Sequence, residues 1–139
     1  MYQSKKSNAG SGAKAHNDNK FFKVGRIRYN SWATPVLKAY DIIVYESELV
    51  HIYNHHAKEL SQLGFTAYDF VKYISDNFNE VYEGRDGAKI LVVRRENLSH
   101  RAIIELYLKD KQYQIKTATP IKTKQLSKLK LLCANAHRT

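Results

Sequence analysis

The period of the apolar positions changes once along the chain. From Glu48 to Leu63 the residues Leu49, Ile52, Tyr53, Leu60 and Leu63 recur at helical spacing and Gly64 supplies a stop, which predicts an amphipathic helix. Thr66 and Asp69 form a capping arrangement for a second helix, which runs to about Phe78 behind an apolar stripe of Phe70, Val71, Ile74 and Phe78. Beyond that point the period is two. Residues 88–94, 101–108 and 112–119 read as strands, separated by Glu96-Asn97-Leu98-Ser99 and by Asp110-Lys111. Gaps this short demand antiparallel neighbours.

Ahead of the helices, the β-branched run 41–45 reads as a buried strand, and Ser47 as the cap of the helix that follows. Residues 20–29 alternate basic and apolar side chains, the pattern of a short edge strand or of an RNA-contacting arm. A turn is expected from Asn30 to Pro35, because proline disfavours helix in the residue before it. Near the end, Leu126, Leu129, Leu131 and Leu132 recur between lysines, as a last helix or an irregular strand. Helices first and a meander after them predict an α+β fold, with the N-terminal helices packed on one face of a twisted antiparallel β-sheet.

Composition divides this chain into a tail and a domain. Residues 1–19 are rich in Ser, Asn, Gly and Ala and read as a flexible basic linker, while residues 20–139 have the apolar content for a single α+β domain. The balance of 23 Lys and Arg against 13 Asp and Glu leaves a formal charge of +10, which favours a polyanionic partner, RNA first among them. The one cysteine, Cys133, excludes an internal disulfide framework and a thiolate zinc site, and its neighbours Leu131 and Leu132 favour a buried apolar residue over the alternative, a thiol nucleophile. No apolar run approaches the roughly 18 residues that a membrane span needs. The N-terminus lacks the apolar middle section of a secretory signal, so the expected site of action is the cytoplasm, reached directly or by delivery within a larger exported protein.

Three of the six histidines fall on the first predicted helix. At about 100° per residue, His56 joins the apolar stripe, whereas His51 and His55 lie together on the opposite side. Four residues apart, the latter two can jointly grip a metal or a phosphate, or simply form a solvated face. No third metal ligand follows at a recognisable spacing, and neither a metal nor another cofactor is expected. On the last regular strand, alternation groups Tyr113, Ile115, Thr117 and Thr119 on the core side, and Gln114, Lys116 and Ala118 on the other. Arg94, Arg95 and Arg101 flank a turn, and Lys116, Lys122, Lys124, Lys128 and Lys130 extend the basic surface. Arginine binds phosphate through paired hydrogen bonds, and the ten tyrosines and one tryptophan offer stacking surfaces for unpaired bases.

The order of these features resembles the toxin nucleases of the barnase/EndoU/colicin/RelE superfamily. The resemblance is carried by a strand ending Ile43-Val44-Tyr45, Ser47, the helix with His51-Ile52 and His55-His56-Ala57-Lys58-Glu59-Leu60, then Leu63-Gly64-Phe65, and the late strand Tyr113 to Thr119; it covers residues 41–132. It implies a metal-independent endoribonuclease, tRNA being one candidate substrate, that acts by 2′-hydroxyl transesterification as an antibacterial toxin or phage effector. A helix histidine would act with a basic residue and a late-strand hydroxyl, roles that transfer to His51, His55, Arg94, Tyr113 and Thr117, with His56 in reserve. Arg95, Arg101, Lys116, Thr119, Lys122 and Lys124 would hold the RNA. The expected partners are RNA and an acidic immunity protein, the chain being otherwise a monomer. The alternatives are a non-catalytic basic RNA- or DNA-binding module and a virion-associated protein.

Overall fold

Two helices and seven strands account for the periodicities, in a computed structural model that describes residues 19–135. The order is β1 (Phe21–Arg26), β2 (Asp41–Tyr45), α1 (Glu46–Leu63), α2 (Ala67–Asn77), β3 (Glu80–Glu83), β4 (Lys89–Val93), β5 (Leu98–Tyr107), β6 (Gln112–Lys122) and β7 (Leu131–Ala134). Short 3₁₀ turns occupy Arg85–Gly87 and Thr123–Lys128. Among the described residues no helix is long and apolar enough to cross a membrane. The expected linker lies outside the described residues except for Asn19.

Asn19 has a structural task. The first helix starts directly on β2, and Tyr45 at its N-cap offers no side-chain bond. Ser47, expected as the cap, lies inside the helix; the Asn19 side chain accepts from the Ser47 N–H at 3.2 Å and donates to its hydroxyl at 2.9 Å. A residue from far along the sequence thus satisfies one of the free N–H groups at the helix start. Gly64, at φ 82°, closes α1 as expected, and the Thr66 hydroxyl caps α2 by accepting from the Asp69 N–H at 3.0 Å.

The strands form one sheet in the order β1-β2-β6-β5-β4-β3-β7. Every pair is antiparallel except β2 with β6, so the sheet is mixed rather than purely antiparallel. The parallel pair arises because β2 is joined to the meander through both helices, a long connection that can return the chain in either direction. The segment 20–29 supplies the edge strand β1, and the ambiguous end resolves into the 3₁₀ turn plus β7, which extends the opposite edge.

One face of the sheet is covered by both helices and by the loop between β1 and β2. Ile52, Leu60, Phe70, Val71 and Ile74 of the helices pack there against Ile42, Val44, Leu91, Ala102, Ile104 and Ile115. Full burial of each such aliphatic or aromatic side chain contributes roughly 1.5–3 kcal/mol. Cys133 packs at the margin of this core, and burial pushes its thiol up from the ordinary value, away from thiolate reactivity. On the other face a smaller cluster, Tyr82, Ile90, Val92, Ile121 and Leu126, sits under the Thr123–Lys128 turn. The partly buried hydrophobic residues Ile103 and Leu129 pack against that second cluster.

Candidate nucleic-acid interface

The residues expected to act together are divided between the two faces. His51, His55 and His56 ride on α1. The His51 and His55 rings lie 4.1 Å apart on the exposed side, and the His55 Nδ1–H donates to the His51 carbonyl oxygen at 2.9 Å. Among the described residues no third side chain joins them in a cluster fit for a metal. His56 is not sealed in the core stripe: the helix breaks there, at φ −135° and ψ 16°, and its ring pairs with the Glu59 carboxylate at 2.9 Å. Tyr113 is buried, and its hydroxyl accepts from the Lys38 N–H at 2.8 Å, tying the loop between β1 and β2 to the sheet. Burial raises its pKa, and the hydroxyl is committed to structure.

A bulge in β6 moves the threonines. Ile103 pairs with Thr117 and Ile104 with Ile115, which leaves Lys116 as an extra residue. An extra residue inverts the alternation beyond it. Ala118, expected outside, is therefore fully buried under the helices, while Thr117 and Thr119 turn to the opposite face, away from Tyr113 and Ile115.

That opposite face collects the guanidinium groups. Arg94 Nε donates to both oxygens of Glu80, at 3.0 and 2.9 Å, and its Nη2 donates to the Tyr82 hydroxyl at 3.2 Å; the same hydroxyl donates to Glu80 at 2.6 Å. The Glu80 side chain is only 3% exposed, so Arg94 is held by a buried carboxylate rather than presented to a ligand. Burial, together with the Glu80 bond, raises the Tyr82 pKa, and the bonds to Tyr82 and Glu80 raise that of Arg94. Arg95 turns the other way and donates to the Tyr73 hydroxyl while covering the Tyr73 ring. The Ser99 and Thr123 hydroxyls, 2.6 Å apart, fix this turn, because Thr123 donates to the Arg95 carbonyl at 2.8 Å and Ser99 accepts from the Arg95 N–H at 2.9 Å.

Arg101 is the exception. It pairs with Val92 on one side and Thr119 on the other, and its Nε is buried with no hydrogen-bond partner. Burial alone lowers its pKa; among the described residues no carboxylate offsets the cost by pairing with it. Arg101 forms part of the wall of a cleft of about 570 Å³, together with Ile103 and Glu105 of its own strand, Glu83 of β3, Arg85 and Asp86 of the turn after it, Lys128 at the end of the second 3₁₀ turn and Lys130 just past it. Cations and carboxylates both line this cleft. Lys122, which precedes the 3₁₀ turn, and Lys124, within it, are exposed and do not line this cleft.

His100 carried no sequence expectation. It is 8% exposed on the helix-covered face, edge-on to Phe65, Phe70 and Tyr73 at 6.0, 5.3 and 6.0 Å, and its Nδ1 has no partner. Burial lowers its pKa, with the Arg95 charge adding to the effect and the Ser99 backbone partly offsetting it. The signal was the alternation of β5, which sets His100 in line with Ala102 and Ile104. Comparison with known protein families, with curated proteins and with solved structures gives no match for this chain.

Proposed function

We propose that this chain is an RNA-binding domain whose phosphate seat is the Arg101 cleft. One observation carries the reading: a guanidinium that is partly desolvated and unpaired, at a cleft that Arg85, Lys128 and Lys130 line together with Glu83, Asp86 and Glu105, where Glu83 pairs with Lys130 at 3.9 Å and none of the three carboxylates pairs with Arg101. A protein that leaves such a cation without a paired acceptor forgoes stability, and an incoming phosphate supplies the missing acceptors through paired hydrogen bonds. The overall charge of +10 adds the long-range attraction. The test is an anisotropy titration with RNA over a range of salt. Affinity should fall linearly on a log–log plot, and Arg101→Ala should weaken binding and flatten the slope by about one phosphate contact. Absence of salt-sensitive RNA binding, or an Arg101→Ala protein that binds as before, would sink the proposal.

RNA cleavage is the second reading, favoured by Glu105 lining the same cleft as Arg101. In it the carboxylate takes the proton of a 2′-hydroxyl, the 2′-oxygen attacks phosphorus, and the 5′-oxygen departs with a proton from Lys128 or water; Arg101 neutralises the phosphorane. The products are a 2′,3′-cyclic phosphate and a 5′-hydroxyl. Incubation with total tRNA in EDTA tests it, with cyclic ends expected and their loss in Glu105→Gln. A toxin role, delivery within a larger protein and an acidic inhibitor rest on the resemblance of residues 41–132 to toxin nucleases. Growth arrest on expression, relieved by a neighbouring acidic gene product, is the matching test.

A further inference from the structure

We infer that the part of the same sheet face running toward β1 is a stacking platform that restricts the RNA to single strands; this rests on the RNA-binding reading. Phe22 lines a groove with Leu49, Val50 and Tyr68 on the helix side, so its neighbour Phe21 projects from the opposite face. Phe21 is 55% exposed and meets Tyr45 edge-on at 5.7 Å. Continuing the parallel register of Ile43 with Gln114 by two residues sets Tyr45 beside Lys116, the bulge residue. Lys116 Nζ in turn lies 5.9 Å from the centre of the Tyr107 ring, which belongs to the strand that carries Arg101.

Aromatic rings and a lysine therefore share one face with the phosphate seat. Tyr45 is two strands and about three residues from Arg101, roughly 14 Å by ordinary strand spacing and rise. An unpaired strand can lay its phosphates against Arg101 while its bases turn onto Phe21, Tyr45 and Tyr107, and stacking of this kind accepts any base because each has a π face. A duplex cannot do this. Its bases are already stacked on one another, and its edges alone face outward. Lys116 serves the phosphate between the two regions, with its charge held next to the Tyr107 ring.

The experiment compares the full-length protein with a fluorescein-labelled 12-nucleotide oligouridylate and with an RNA duplex of the same length. The single strand should bind at least tenfold tighter. Phe21→Ala and Tyr107→Ala should each weaken single-strand binding by about fivefold to 150-fold, the range expected for loss of one stacked base, and leave duplex binding unchanged. Phe21→Tyr should retain the wild-type affinity, which separates stacking from a folding defect. Equal affinity for both RNAs, with Arg101→Ala still damaging, overturns the platform and leaves the RNA-binding reading standing. No binding to either overturns both.

Discussion

Glu80 grips Arg94 through both carboxylate oxygens, whereas Arg101, on the same face of the sheet, has no carboxylate partner among the described residues. The two arginines look alike in the sequence and have opposite roles in the fold. One satisfies a buried anion; the other is left with a buried Nε that no acceptor meets.

Arg94→Ala should therefore act on stability. It strips the guanidinium from a carboxylate that is almost wholly buried and leaves Tyr82 among its remaining donors. Leaving such a group short of a partner costs about 1–3 kcal/mol, reduced here because Arg94 is itself 37% exposed. Urea denaturation should show the lower midpoint, with RNA affinity of the folded fraction little changed.

Arg101→Met should do the reverse. Methionine keeps the stem and removes a desolvated, unpaired charge, so the variant should be as stable as the parent or more stable by up to about 1 kcal/mol. RNA binding should fall in the same protein. A simultaneous loss of stability would mean that the guanidinium is structurally engaged, and would count against the phosphate seat.

How far these roles are legible in the sequence depends on how local their causes are. The second helix is readable because Thr66, Asp69 and the Phe70–Ile74 stripe lie within one segment. Gly64 is readable for the same reason. Nothing local marks the bulge at Lys116, since it is defined by the register against β5, and that single residue sends Thr117 and Thr119 to the other face. β3 escapes periodicity because four residues are too few to show alternation, and Glu80 reads as a surface charge until Arg94 and Tyr82 are brought to it. The histidines of α1 drew attention through their spacing, while the more deeply buried His100 stood alone in its strand.

His100 makes stability depend on pH. Burial holds its pKa in the folded protein below the ordinary 6.5, so between the folded and unfolded values the unfolded chain binds a proton that the folded chain refuses. Stability from this source is complete above pH 6.5 and is lost as pH falls through that window. Thermal melts from pH 8 to pH 5 should show a declining midpoint. His100→Phe, which keeps an aromatic ring against Phe65, Phe70 and Tyr73, should flatten the curve over that interval.

Gly25 and Ser75 give the most direct test of how β1 is held against α2. A Cβ built on Gly25 would stand 2.4 Å from the Ser75 hydroxyl oxygen and 3.1 Å from its Cβ, so the strand can lie this close to the helix only without a side chain. Gly25→Ala must turn the Ser75 hydroxyl away and ease the strand from the helix by a few tenths of an ångström, at a cost of about 1–3 kcal/mol. The Ser75 hydroxyl is buried with no partner, so Ser75→Ala alone should be neutral or slightly stabilising. Together the two changes remove the 2.4 Å clash but keep the 3.1 Å approach, and the double variant should recover only part of the loss. A double-mutant cycle by urea denaturation should return a coupling of about 0.5 kcal/mol or more. Strict additivity would mean that β1 and α2 pack less closely than this pairing requires.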